Sequence, residues 1–159
     1  MSRIDFVTGA PEKYMPLVEE LATLPDRLAT ILNQLNNNEF RQSRDPEWSP
    51  ARILNHMISY AKHNGEFINQ MAWMTDPTRR EWDEESEQNT QANSNQLLQD
   101  LRNELSNTIK LLSHTPDAQW GRPGSIGNYG RRSLRQQLRS HIEHLNDHID
   151  QIEQIVTNN

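Results

Sequence analysis

The sequence predicts an all-α fold, a bundle of four amphipathic helices with long connections in two places. In four stretches of the chain, apolar residues recur at intervals of three and four positions, which places them on one face of a helix. Between these stretches the chain is polar or rich in glycine and proline. Two connections have about twenty residues, more than neighbouring helices of a bundle usually need, so they are either long crossovers or functional segments.

The first helix is predicted to extend to about Leu35 and to follow a short irregular arm. Pro25 falls inside its pattern, where Thr23 can cap a helix and a proline is tolerated in the first turn. Either a new helix therefore starts near Pro25 or the helix kinks there. The apolar stripe consists of Leu21, Leu24, Leu28, Ile31 and Leu35.

The second helix is predicted to begin at Ser49-Pro50 and to run to about Met74. Serine is a good N-cap, and proline suits the first helical position. Residues 76–93 then lose the apolar period and are predicted to form a polar crossover. The face of this helix is marked by Ile53, Met57, Tyr60, Asn64, Phe67, Met71 and Met74.

The third and fourth helices are predicted on either side of a loop rich in glycine and proline, residues 121–130. Thr115-Pro116 ends the third helix, and Ser133 with Gln136 forms a capping box that opens the fourth. The third stripe consists of Leu97, Leu98, Leu101, Leu105, Ile109 and Leu112. The fourth consists of Leu134, Leu138, Ile142, Leu145, Ile149, Ile152 and Val156.

The composition limits the classes of function. A chain of 159 residues suits one domain, and a net charge of -6 is too small to enforce disorder even with a mean hydropathy of -0.92. The acidic balance and a pI near 5.5 argue against a nucleic-acid partner. No apolar run reaches a membrane-spanning length, and the first residues lack the apolar core of a signal peptide, so we expect a cytoplasmic protein without a membrane partner.

The sequence contains no cysteine. Disulfides, thiolate metal ligands and a cysteine nucleophile are therefore excluded, and any metal ion has to be bound by His, Asp or Glu.

Three histidines form a candidate metal site. His144 and His148 are one helical turn apart, so both imidazoles can face a single ion. If the second and fourth helices run antiparallel, His56 lies about 10 Å from the start of its helix and His148 about 12 Å from the end of the other, so their depths agree. All three occupy flank positions beside the apolar stripes, where facing helices of a bundle can build a metal site.

Other interpretations of the histidines remain open at this point. A histidine pair alone is weak evidence for a metal site, since solvated side chains on a hydrophilic helix give the same pattern. The residue after His144 is Leu145, which excludes the H-E-x-x-H pattern of metalloproteases. His63 is a possible substitute for His56, although its depth fits poorly. His141 is a fourth ligand, a second-shell donor or a surface residue, and we favour the last two. His114 suits the negative end of the third helix and is interpreted as structural.

The carboxylates of the fourth helix do not supply an obvious general base. Glu143 and Asp147 are predicted to point away from the flank that carries the histidines. A nucleophile would therefore have to be a bound thiol or a water molecule activated by the metal ion.

Two sequence motifs together resemble the DinB superfamily of bacterial four-helix bundles. Residues 48–56 read W-S-P-x-x-I-L-x-H, and residues 144–152 read H-x-x-x-H-x-x-Q-I. A proline-containing first helix and a tryptophan-containing Gly/Pro loop extend the resemblance over nearly the whole chain. It implies one domain over residues 1–159, an up-down-down-up bundle that is often a homodimer, and a divalent metal ion on His56, His144 and His148.

The resemblance leaves the reaction open, because one fold supports many chemistries. Some relatives are similar to transferases or isomerases that use low-molecular-weight thiols. We therefore expect a thiol S-transferase acting on a small molecule, with metal-dependent hydrolysis or a non-catalytic ligand-binding or partner-binding bundle as the alternatives. We expect the metal to be zinc or nickel, with iron or manganese as further possibilities.

Overall fold

The computed structural model describes residues 11–158, and four long helices form most of it. Two short helices, three single turns of 3-10 helix and one small hairpin make up the connections. The helices are α1 (Met15–Leu32), α2 (Asn37–Arg41), α3 (Pro50–Trp73), α4 (Ser94–Ser113), α5 (Asp117–Trp120) and α6 (Leu134–Thr157). The 3-10 turns are Glu12–Tyr14, Glu85–Glu87 and Gly127–Tyr129, and the strands are β1 (Pro123–Ser125) and β2 (Arg131–Ser133).

Local hydrogen bonds determine where the long helices begin. The Ser49 hydroxyl accepts the Arg52 backbone N–H at the start of α3. Ser133 and Gln136 form a complete capping box at the start of α6. Such caps satisfy backbone N–H groups that the first turn leaves without a partner. The predicted starts of both helices are therefore confirmed.

The first helix differs from its prediction at two points. It is continuous across Pro25, which is buried, so no new helix starts there. Burial of Leu24 and Leu28 on the same face offsets the backbone hydrogen bond that proline cannot make. The helix ends at Leu32 and not at Leu35, and the expected irregular arm falls mainly in residues 1–10, outside the described residues.

The four long helices enclose one hydrophobic core. Helix α1 packs against α4 and α6, and α3 packs against the same two helices, so the four form a closed bundle. Each predicted stripe points inward, as the complete burial of Leu28, Met57, Leu101 and Leu145 illustrates. Met74 is an exception, because α3 ends at Trp73 and leaves Met74 exposed. None of the helices in residues 11–158 is long and apolar enough to cross a membrane.

The predicted loop at residues 121–130 is partly a β-hairpin, so the protein is not purely helical. Strands β1 and β2 pair antiparallel over three residues each. The hairpin lies against α3 so closely that a Cβ on Gly124 would lie 2.7 Å from Phe67 and 2.8 Å from Met71, which explains the glycine. Strand β1 also pairs with the crossover, because Arg79 N–H donates to Ser125 C=O at 2.8 Å. The two long connections are thus joined to each other.

Candidate metal centre

The structure brings together the three histidines that the sequence singled out. His56 comes from α3, and His144 and His148 come from successive turns of α6. One potential ligand atom of each lies within 4.8 Å of the others, and all three side chains are partly buried. The Nε2 atoms of His56 and His144 are 3.1 Å apart.

Hydrogen bonds on the far side of two rings determine which nitrogen faces the centre. His56 Nδ1 lies 2.6 Å from Glu84 Oε1, so a proton on Nδ1 is held by the carboxylate. His148 Nδ1 lies 2.9 Å from Gln151 Oε1, an acceptor that likewise requires a proton on Nδ1. Both rings therefore direct an unprotonated Nε2 inward, which is the arrangement of a metal-binding histidine whose other ring nitrogen donates to an acceptor behind it.

These donors fit a divalent transition-metal ion. Nitrogen ligands about 2.0–2.1 Å from a tetrahedral ion lie about 3.4 Å from one another. The Nε2 atoms of His56 and His144 are already near that spacing at 3.1 Å, and all three ligand atoms lie within 4.8 Å. Without an ion, the two Nε2 atoms at 3.1 Å can share one hydrogen-bond proton, and the same spacing allows both lone pairs to bind one cation. With three protein ligands, such an ion keeps at least one coordination position open.

The surroundings favour neutral imidazoles. Burial, with smaller contributions from the nearby His148 and His56, lowers the pKa of His144 to about 4. Burial also lowers the pKa of His148, although its hydrogen bond to Gln151 and the charge of Glu84 act in the opposite direction. A metal ligand has to be deprotonated, so these two residues are in the binding form at neutral pH.

A buried aromatic and polar layer supports the centre from below. The Tyr60 ring lies 4.0 Å from the His144 ring and 5.2 Å from the His141 ring, centre to centre. His141 is completely buried, and its Nδ1 accepts a hydrogen bond from Asn64 Nδ2 at 2.7 Å. The interpretation of His141 as a surface residue was therefore wrong. It is not a ligand of the cluster either, since it packs behind Tyr60.

The remaining histidines lie outside the cluster. His63 Nε2 contacts the Glu87 carboxylate at 2.8 Å, and its ring stacks on Trp82 with centres 4.8 Å apart. His63 thus attaches the crossover to α3 and does not substitute for His56. His114 caps the end of α4, where its Nδ1 contacts the Lys110 carbonyl oxygen at 2.9 Å, as its structural interpretation predicts.

Glu84 is the functional residue that sequence reasoning missed. Its carboxylate comes from the polar crossover, 28 positions after His56, and no periodicity connects the two residues. The available signal was the length and acidity of the crossover, since a carboxylate there can reach any histidine on the nearest helix. Glu143 and Asp147 are exposed, in agreement with the prediction that the carboxylates of the last helix point away.

A cavity of about 860 Å³ lies beside the centre, between the crossover and the tip of the hairpin. Glu84, the partner of His56, forms part of its wall, whereas none of the three clustered histidines does, so the cavity and the centre meet at Glu84. Its other walls are Arg79, Arg80, Glu81, Trp82, Ile126, Gly127, Asn128 and Tyr129. Both long connections of the bundle thus contribute to one open space large enough for a small molecule.

Comparison with known proteins identifies one matching family model and a solved structure with a similar fold. The family model described as the DinB superfamily matches residues 20–152. YfiT from Bacillus subtilis, whose structure is described as that of a probable metal-dependent hydrolase with an unusual four-helix bundle topology, is similar with a TM-score of 0.82. The match covers 92% of this chain and 87% of YfiT at 17% sequence identity, which establishes a shared fold. No curated protein matches the sequence significantly.

Proposed function

The chain belongs to the DinB superfamily, and we propose that it is a metal-dependent enzyme that transfers a small-molecule thiol to an electrophilic substrate. His56, His144 and His148 are the proposed ligands of one divalent ion. A bound ion would supply Lewis acidity that lowers the pKa of a coordinated thiol or water molecule.

The observation that carries this proposal is the convergence of three histidines with one carboxylate behind them. Three neutral ligands leave the double charge of the ion intact, and Glu84 offsets only part of it from behind His56. The open position therefore favours an anionic ligand such as a thiolate or a hydroxide.

A thiol needs a smaller decrease in pKa than water does to become a nucleophile at this centre. A free thiol has a pKa of about 8.5, whereas water has one of about 15.7, so a modest stabilisation of the anion makes a thiol fully reactive at neutral pH. The chain contains no cysteine, so the thiol has to be a separate small molecule that enters through the cavity. Nitrogen ligands suit zinc and nickel, which we propose as the physiological ions.

The side chains around the cluster have distinct tasks in this proposal. Glu84 holds the His56 proton on Nδ1 and so keeps the ring in its binding orientation. Tyr60 covers the inner face of His144 and separates the centre from the buried layer beneath it. The cavity walls, which include Trp82 and Ile126, shield a bound substrate from bulk water on that side.

Metal-dependent hydrolysis is the second candidate. It is favoured by the description of YfiT, which shares the fold, as a probable metal-dependent hydrolase. The same histidines would then hold an ion that activates water, and the substrate would be a small ester or amide.

The experiment that separates these functions uses the cobalt-loaded protein. Low-molecular-weight thiols should produce a sulfur-to-cobalt charge-transfer band and should be consumed when a simple electrophile is added. If no thiol changes the cobalt spectrum while esters or amides are cleaved, the hydrolase replaces the transferase. If neither reaction occurs, the bundle is a non-catalytic binding protein. His114→Ala serves as a control that should behave like the parent chain, because His114 lies at the end of α4.

A further inference from the structure

Arg79 carries a half-buried positive charge with no carboxylate partner among residues 11–158. Its Nη1 donates to Asn64 Oδ1 at 3.0 Å, and its guanidinium lies 5.5 Å from the centre of the Trp82 ring. The opposite edge of the guanidinium, formed by Nε and Nη2, has no hydrogen-bond partner in the described part of the chain. That edge presents two parallel N–H groups, which match the two oxygens of a carboxylate.

Buried polar groups hold this guanidinium in place. Asn64 is completely buried, and its Oδ1 also accepts a hydrogen bond from Gln137 Nε2 at 2.7 Å. Its Nδ2 donates to His141, so two residues of α6 orient the amide that receives Arg79. The Arg79 backbone is fixed as well, because its N–H donates to Ser125 C=O at 2.8 Å. An arginine on a solvated surface needs no such support, and a fixed guanidinium loses little entropy when it binds an anion.

Arg79 also lies close to the proposed metal centre. It forms a wall of the cavity of about 860 Å³ to which Glu84 contributes, and Glu84 contacts His56. Asn64, which accepts from the guanidinium, also donates to His141, and the Tyr60 ring packs against both His141 and His144. One layer of direct contacts therefore joins Arg79 to the centre.

The other charges on the cavity wall leave Arg79 available. Arg80 is exposed and adds a second positive charge, while Glu84 is engaged by His56. Glu81 is exposed to solvent, which screens its charge. The cavity wall therefore carries two positive and two negative side chains, and Arg79 is its half-buried cation without a carboxylate partner among residues 11–158.

We propose that Arg79 is a specificity-determining residue that binds a carboxylate of the substrate while another group of the same molecule occupies the metal centre. This inference rests on the proposed metal centre and names the class of molecule that it accepts, a small carboxylate. A molecule with one group on the ion and a carboxylate on Arg79 would span the cavity wall between Glu84 and the guanidinium.

The test compares two thiols that differ only in charge, 3-mercaptopropionate and its neutral analogue 3-mercaptopropionamide. Their affinities for the cobalt-loaded protein are measured from the sulfur-to-cobalt band. Because hydrogen bonds to charged groups are strong, the parent chain should prefer the carboxylate by about tenfold to a hundredfold. Arg79→Gln should reduce that preference to about threefold or less, and Arg79→Lys should give an intermediate value because it keeps the charge without the paired N–H groups.

Arg135→Gln is the matched control for charge removal. Arg135 is exposed and lies nine positions before His144, which places it on the opposite side of α6. This variant should keep the full preference. Equal affinity of the two thiols in the parent chain would overturn the anion site and leave the metal centre intact. A preference that persists in Arg79→Gln would overturn it too, because the carboxylate would then be binding the ion itself.

A second measurement covers the case in which neither thiol binds cobalt, an outcome that contradicts the thiol function and not the anion site. The zinc-loaded protein, or the metal-free protein if no ion binds, is titrated with acetate while the arginine Nε–H signals are followed by NMR. The Arg79 signal, identified by its loss in Arg79→Gln, should shift and saturate while the Arg135 signal stays constant. Absence of a saturable Arg79 shift would overturn the proposal.

Discussion

Removal of the Glu84 carboxylate should weaken metal binding without disturbing the fold. Glu84 Oε1 lies 2.6 Å from His56 Nδ1, and only 19% of the His56 side chain and 21% of the Glu84 side chain are exposed. Solvent therefore screens this contact only partly, and a hydrogen bond to a charged group contributes about 1.5–3 kcal/mol. The contact both orients the ring and makes Nε2 a stronger donor.

Two substitutions separate the effect of the Glu84 charge on metal affinity from the effect of its hydrogen bond to His56. Glu84→Gln keeps an oxygen that accepts the Nδ1 proton but loses the charge, so we expect about a tenfold loss of metal affinity. Glu84→Ala loses both, and the loss should approach a hundredfold, or about 2.7 kcal/mol. The dissociation constants are measured at fixed pH by competition with a coloured chelator, and circular dichroism verifies the helix content.

Glu85→Gln is the matched control. Glu85 is the adjacent carboxylate of the crossover, is largely exposed and forms an ion pair with Arg52, so its removal should leave metal affinity within about twofold of the parent chain. Unchanged affinity in Glu84→Ala would refute the assignment of Glu84 as the partner of a ligand histidine. An equal loss in Glu85→Gln would mean that the net charge of the crossover is responsible and not the contact with His56.

Three further predictions concern the ligands, the fold and the buried layer. Elemental analysis should find about one metal ion per chain in the parent protein and in His114→Ala, but much less in His56→Ala, His144→Ala and His148→Ala. Full metal occupancy in any of the last three variants would contradict the three-ligand site. Chelation should lower the melting temperature but leave the helical circular dichroism intact, because four apolar stripes already form the core; loss of most of the helix would show that the metal is structural. Burial lowers the pKa of His141 to about 3 from an ordinary value of about 6.5. Between pH 3 and pH 6.5 the His141 imidazole is therefore protonated in the unfolded chain but neutral in the folded chain. The contribution of neutral His141 to the unfolding free energy of the metal-free protein should therefore be fully present above pH 6.5 and decrease as the pH falls towards 3. His141→Gln should reduce the slope of unfolding free energy against pH in this range by up to about 1.4 kcal/mol per pH unit. An unchanged slope would contradict the buried neutral state of His141.

The helices were predictable because their signals are local. A cap such as Ser133 involves residues three positions apart, and the apolar period repeats within two turns, so a short window of sequence contains the whole cause. The end of α1 was less well predicted, because Leu35 continues the apolar period while the backbone has already left the helix at Leu32. The hairpin was missed because three-residue strands are too short to show a period.

The histidine cluster was partly predictable for the same reason. His144 and His148 share a face through helical geometry alone, and a matched depth along the facing helix was sufficient to select His56 over His63. The expectation depended on an assumed direction of two helices, which local sequence does not determine.

The sequence by itself determined the four helical segments, their buried faces and the shared face of His144 and His148. Only the tertiary structure decided that His56 faces this pair and that His141 is buried beneath the centre. It also decided which crossover residues reach the bundle, namely Glu84 at His56 and Arg79 at Asn64. Helical periodicity results from hydrogen bonds between neighbouring residues, whereas a side chain on a long connection has no repeating geometry. Its position depends on how that connection packs against the finished bundle, and that packing involves residues from the whole chain.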